Sequence, residues 1–358
     1  MLHTVTPQIT IGIGSATEIK ALPSSPERSI LCFDVLKPRT TERKDGDCFN
    51  PPALHHIARF CLYLQETLRR HPDKVIVVCT RGSEPEYITV VSLLVGGFMI
   101  LCQGLDVDAV RDSFCGPISN DFVGFCDPGS RYEPRGLLID DCWRALHRAR
   151  CEDWINLAQK VQPPGPRSLG SFDIDECAHY SEACNGNVSM VVPGKMIVFQ
   201  RPVDLPSPNL WESSVASGYR FSPAFYASLF QEAFDVSVVL RLGAVADSNY
   251  DRTDFDQADI DVEDLPLGSK SGEPSGLLFA LDRVLAVSRA APGQIALHNC
   301  ADGPGFTGSL AVGYLTNRLR FDSKAAIAWV RMIKPELLVP LRSLKGGIKL
   351  SNKVLRVR

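Results

Sequence analysis

The chain has 358 residues, 45% of them hydrophobic and 22% charged, with 38 basic against 41 acidic side chains and a formal charge of −3. That balance excludes a protein that coats nucleic acid by bulk electrostatics, and the apolar content excludes disorder along most of the chain. At roughly 100–200 residues per domain, the length favours two domains.

The opening segment, residues 1–14, lacks the charged stretch and apolar core of a secretory leader. Thr10–Gly14 holds a lone Gly-x-Gly without a third glycine, so no nucleotide fingerprint is read there. Strands are predicted over 29–34 and 74–79, and helices over 53–70, 86–103 and 137–159. The longest apolar run, 88–102, is broken only by Thr89, Ser92 and the pair Gly96-Gly97. It falls short of the roughly 20 residues a bilayer needs, so a buried core helix and no membrane partner are expected. Twelve cysteines occur without a Cys-x-x-Cys pair. They predict a reducing, cytoplasmic setting, with the thiols acting as small buried hydrophobes, and no metal or other cofactor. His55-His56 lacks partners at metal spacing and is read as helix surface. Asn187-Val-Ser189 fits a glycosylation sequon, which carries little weight in an intracellular chain.

Gln162–Pro166 is a Pro/Gly cluster that continues neither helix nor strand and marks a boundary. Beyond it, strands are predicted over 194–199, 236–242 and 294–298. Helices are predicted over 222–234, with Ser222 as N-cap and Pro223 in the first turn, over 274–290, up to Leu319 after a Gly-rich turn, and over 324–333. The acid-rich stretch 247–264 has no EF-hand register and is read as a solvated loop. Strands alternating with helices indicate an α/β fold of two tandem units, each a central mixed sheet flanked by helices. The segments are an extension over 1–28, a first domain over 29–160, a linker over 161–190, a second domain over 191–343 and a tail over 344–358. The end of the chain is basic: Arg342, Lys345, Lys349, Lys353, Arg356 and Arg358, with no acid among them.

Gln294–His298 delivers Cys300 into the glycine-rich turn Asp302-Gly-Pro-Gly-Phe-Thr-Gly308, which opens a helix. Backbone N–H groups and a helix N-terminus there suit an anion and lower a thiol's pKa. The spacing resembles the signature loop of protein tyrosine phosphatases: a Cys, five residues, an Arg, then Ser/Thr and Gly. Phe172-Asp-Ile-Asp-Glu176, Asn185-Gly186, Pro193-Gly-Lys195, Val238–Leu242, Tyr250-Asp251, Ile327–Arg331 and Pro335 follow in the order found in the cell-division-cycle-fourteen dual-specificity phosphatases. In the first half, Phe125-x-Asp127, Asp140-x-Cys142 and the run 61–114 are similar to that family's non-catalytic first domain. The resemblance covers roughly residues 29–343. It implies two dual-specificity-phosphatase-like domains, the first without a catalytic site of its own.

Against that resemblance the chemistry is missing. Transfer of a phosphoryl group to Cys needs a thiolate, a guanidinium that clasps two phosphate oxygens, a row of N–H donors and an acid for the leaving group. The Arg position falls on Phe306, and no Arg or Lys stands between Arg289 and Arg318. Pro304 removes one N–H, Asp302 adds a negative charge where a dianion would sit, and His298 is displaced by one place from the family's His. The acid slot reads Leu267–Lys270, around Ser269, without a carboxylate. The family's water-orienting Gln region reads Leu338–Arg342. Three acids of the family's substrate groove map onto Ala178, Ser181 and Asn187. Phe306 is read as filling the former phosphate pocket, followed by Thr307, and Cys300 as a small residue in a degenerate loop.

The expected function is therefore that of a pseudophosphatase acting as a structural or scaffold component, in a cytoskeletal or ciliary setting. The basic tail would dock on an acidic lattice such as tubulin or other axonemal proteins. The alternative is an atypical phosphatase with Cys300 as nucleophile and Lys270 or Arg241 as its cation. A phosphate reader without turnover ranks below the scaffold, because readers use Arg clusters and this loop has none.

Overall fold

The computed structural model describes residues 2–14, 18, 28–31, 51–80, 82–125, 136–155, 157, 173–206, 208–215, 218–243, 250–265, 274–298 and 305–338. The chain divides into two compact units between Pro166 and Arg167, at the Pro/Gly cluster.

The first unit is built on a four-stranded sheet of β1 (Leu2–Thr6), β2 (Ile9–Gly12), β3 (Arg28–Leu31) and β4 (Val75–Cys79) in the order β1-β2-β4-β3. β1 and β2 are antiparallel, and β4 runs parallel to both β2 and β3. Residues 1–28 therefore supply two strands of the sheet rather than an extension before it. Their apolar alternation is short and interrupted by the Pro7-Gln8 turn, which hides it in the sequence.

Helix α1 (Leu54–Arg70) buries Leu54, Ile57, Ala58, Phe60, Cys61 and Leu64, a stripe at helical spacing. Helix α2 (Pro85–Leu101) is apolar nearly all round and buried along its length, as the core-helix reading requires. It packs against α1 and against α4 (Ile139–Cys151), while α3 (Val107–Ser113) is capped by Asp106, whose carboxylate accepts from Ala109 N at 2.8 Å. The pair Gly96-Gly97 makes that packing possible. A Cβ on Gly96 would lie 2.4 Å from Trp143 Nε1, and one on Gly97 would lie 3.3 Å from both Ile57 and Leu146. α4 ends at Cys151, short of the 159 expected. Asp153 turns left-handed at φ 56°, and Trp154 N and Asp153 N donate back to Ala149 O and Arg150 O at 2.9 and 3.0 Å. This is a Schellman stop made with Asp instead of the usual Gly, so no glycine announces it.

The second unit carries a five-stranded sheet in the order β10-β9-β11-β6-β5. Its strands are β5 (Ser189–Val192), β6 (Met196–Phe199), β9 (Val236–Leu242), β10 (Asp261–Leu265) and β11 (Gln294–His298). All neighbours are parallel except β5 with β6. A separate hairpin joins β7 (Trp211–Ser214) to β8 (Gly218–Phe221). The helices are α5 (Ile174–Ser181), α6 (Pro223–Leu229), α7 (Thr253–Gln257), α8 (Pro274–Ala290), α9 (Gly305–Arg318) and α10 (Ser323–Ile333).

Ser222 caps α6, accepting from Phe225 N at 3.2 Å as expected, but the predicted 222–234 helix finishes as a π-turn over Phe230–Phe234. That turn places Phe230 and Phe234 in one core with Phe199, Phe221, Tyr226 and Phe255. Trp329 is fully buried, and its Nε1 donates to Val191 O at 2.9 Å, which ties α10 to β5.

Two boundaries need correction. The segment 161–190 holds α5 and the start of β5, so the second unit begins well before 191. Within the acid-rich 247–264, α7 and the edge strand β10 replace the predicted solvated loop, because Phe255 and Ile260 are buried and anchor it.

Among the described residues, no helix is long and apolar enough to cross a membrane, and no His/Cys/Asp/Glu group could hold a metal ion. Of the described cysteines, Cys61, Cys79 and Cys142 are buried, but Cys115, Cys151 and Cys184 are exposed, so the buried-hydrophobe reading holds only for some. His55 and His56 lie with ring centroids 4.0 Å apart, tilted by 51°, and are half-buried rather than on a free surface.

Candidate functional site

Parallel α/β sheets offer binding positions beyond the carboxyl ends of their strands. In the second unit those ends are Phe199, Leu242, Leu265 and His298, brought level by the registers Phe199↔His298, His298↔Arg241 and Leu265↔Leu242. Continuous apolar runs in β6, β9 and β11 bury the strands, and the polar side chains gather where the strands stop.

His298 is buried at 4% exposure, with Nε2 3.1 Å from the Tyr250 hydroxyl and its ring edge-on to Phe199. Burial pushes the Tyr250 hydroxyl well above the usual phenol range, against the opposing pull of Arg241 and Arg201. Arg241 lies over the Tyr250 ring at 5.1 Å. Its Nε and Nη2 donate to the two carboxylate oxygens of Asp264, each at 2.7 Å. That bidentate bond, first among the causes, raises the Arg241 pKa and spends its fork on a protein acid.

Beyond β11, Phe306 and Thr307 open α9. Phe306 is 3% exposed, and the buried Thr307 Oγ1 has no hydrogen-bond partner. Cys300, Asp302, Pro304, Lys270, the acid slot around Ser269 and the basic tail from Arg342 onward lie outside the described residues. The structure thus brings together His298 and Arg241 from the sequence reading, and adds Asp264 and Arg201, which that reading missed. The available signal was position: Asp264 is the penultimate residue of β10 and Arg201 lies two residues beyond β6, both near carboxyl ends of parallel strands.

The three groove positions are neutral and internally occupied. Ala178 is buried, Ser181 Oγ donates to Ala178 O at 2.9 Å, and Asn187 Nδ2 donates to Gln200 Oε1 at 3.2 Å. Lys334 Nζ donates to Asn187 Oδ1, and burial lowers that lysine's pKa. A lysine thus binds where the resemblance implies an acid, and the Asn187 amide of the sequon is engaged within the fold.

Comparison with known proteins follows the same line. Residues 30–149 match the family described as dual specificity protein phosphatase, N-terminal half. Dual specificity protein phosphatase CDC14C from Homo sapiens is 27% identical over 295 residues, covering 81% of this chain and 59% of that protein. The chain is similar to the CDC14 dual-specificity phosphatases. The same protein from Symphalangus syndactylus is 27% identical, covering 81% of this chain and 55% of its own length. Tyrosine-protein phosphatase cdc-14 from Caenorhabditis elegans is 25% identical, covering 80% and 38%. The chain therefore spans little more than half the length of the first two relatives. Among solved structures, a putative protein tyrosine phosphatase from Leishmania major aligns at 18% identity and a TM-score of 0.30, over 46% of this chain and 87% of that one.

Proposed function

We propose that this CDC14-like chain is a catalytically silent phosphatase relative that serves as a structural or scaffold component of a protein assembly. The observation that carries the reading is the fate of the cations. The signature Arg position is the buried Phe306, and Arg241, the described candidate to replace it, has its fork held by Asp264 at 2.7 Å. Without a guanidinium for the phosphoryl oxygens, the transition state loses its main electrostatic support. Losing a general acid alone costs about 10²–10⁴-fold, and here the cation and the acid slot are both replaced in the sequence. The neutral, lysine-occupied groove supports the same reading, because it no longer offers carboxylates to a basic peptide.

The setting we propose is a cytoplasmic cytoskeletal or ciliary assembly, with the tail from Arg342 to Arg358 docking on an acidic lattice such as microtubules. Co-sedimentation with microtubules at physiological salt tests it. Binding that disappears when the six basic residues are changed to Gln supports the tail's role, and no co-sedimentation removes it.

A further inference from the structure

We propose that Cys61 and Cys102 form an oxidative modification site, a reversible disulfide that latches α1 to α2 when a peroxide reaches Cys102. α1 ends just before β4 begins, and α2 starts just after β4 ends, so both helices run from the carboxyl end of that strand toward its amino end. They pack side by side, and a Cβ on Gly97 of α2 would lie 3.3 Å from Ile57 of α1. One turn further along each helix stand Cys61 and the end of α2 at Leu101-Cys102. There the Cys61 and Cys102 thiols hydrogen-bond to each other. Side chains that meet in this way converge, which is what a disulfide needs if the backbone is not to move. The end of α2 is fixed as well. Cys102 N donates to Phe98 O at 2.9 Å, Leu105 N donates to Met99 O at 3.1 Å, and Gly104 turns left-handed at φ 80°.

The two thiols differ in access. Cys61 is fully buried, whereas Cys102 is only partly so. Burial first, and then the Cys102 partner, push the Cys61 thiol up, so it waits in its protonated form. Cys102 is therefore the entry point. It gives up its proton and its sulfur attacks an oxygen of a hydroperoxide. The O–O bond breaks, the proton goes to the departing oxygen as water or an alcohol, and Cys102 becomes a sulfenic acid. The Cys61 sulfur then attacks the Cys102 sulfur, the S–O bond breaks, and the hydroxide leaves with the Cys61 proton as water. Two thiols are oxidised and one peroxide is reduced. A small thiol reverses the bond by exchange, so in a reducing setting the latch is transient. The exposed Cys115 and Cys151 serve as internal controls. Cys115 Sγ donates to Arg111 O at 3.6 Å and Cys151 Sγ lies 3.8 Å from His147 Nδ1, and neither contact offers a second sulfur.

The test treats the reduced full chain with hydrogen peroxide in native buffer, blocks the remaining thiols with an alkylating reagent, and maps the peptides without reduction. A peptide pair joined through Cys61 and Cys102 should appear, and dithiothreitol should return both thiols. Amide exchange in α1 and α2 should slow in the oxidised chain, because the bond resists opening of that helix pair. Cys102→Ser should abolish the link and leave Cys61 reduced at the same dose. Cys61→Ala should leave a sulfenic acid at Cys102 that dimedone captures, and either variant carries the test if the other does not fold. Both thiols still free after treatment, Cys102 joined to a different cysteine, or Cys61 oxidised equally in Cys102→Ser overturns the proposal. A mapped link with unchanged exchange in α1 and α2 overturns the latch.

Discussion

Each unit contains a strand that passes through a short loop into a buried, glycine-bearing helix: β4 into α2, and β11 into α9. The first crossing closes on itself. Thr80 donates to Gly82 O at 2.6 Å and accepts from Gly14 N at 3.4 Å, while Thr89 donates to Pro85 O and accepts from Val123 N. At the second, the buried Thr307 hydroxyl in the first turn of α9 has no hydrogen-bond partner. The threonines at the first crossing are thus bonded, whereas the one that opens α9 is not. A phosphatase-like fold by itself fixes no activity, so what separates the two crossings lies in their side chains.

The largest effect should come from the helix glycines. In α2, a Cβ on Gly96 would meet the rigid indole of Trp143 at 2.4 to 2.8 Å. In α9, a Cβ on Gly313 would meet only the Leu281 methyls at 2.9 Å, which can rotate away. Gly96→Ala should cost about 1–3 kcal/mol in urea denaturation, as overpacking does, while Gly313→Ala should cost less, offset by about 1 kcal/mol of helix propensity. Equal losses would remove this distinction between the units.

The threonines sharpen the comparison further. Thr80→Val should destabilise by about 1–3 kcal/mol, because it strands the Gly14 amide among buried groups. Thr307→Val removes a hydroxyl that bonds nothing, so its stability should be unchanged or slightly raised. A loss at Thr307 matching that at Thr80 would show that its hydroxyl is satisfied after all.

A smaller effect concerns pH and the first unit alone. Burial, and then the neighbouring His56 and Arg59, lower the His55 pKa from 6.5 to about 4, and His56 is lowered in the same direction. The unfolded chain binds more protons between those values, so this stability is fully present above about 6.5 and is lost as pH falls toward 4. Thermal melts of His55→Gln should show a flatter acid limb than wild type, and parallel limbs would assign the acid sensitivity elsewhere.

Much of the fold was legible because burial writes itself as periodicity. β9, α8 and β11 fall on their predicted bounds, each a run whose apolar spacing is uninterrupted. The failures were local. β1 and β2 are too short to show a period, α4 ends on an Asp-based stop, and β10 carries acids because it is an edge strand exposed on one side. The site was half legible. Asp264 and Arg201 carry no motif, and their meaning comes from strand register, which pairs residues far apart in sequence.

The most direct test of the central claim is hydrolysis of an aryl phosphate by the purified chain, compared with Cys300→Ser and Phe306→Arg. The account predicts no Cys300-dependent turnover in the wild type, with all three proteins folded. Turnover in the wild type that Cys300→Ser abolishes would contradict it.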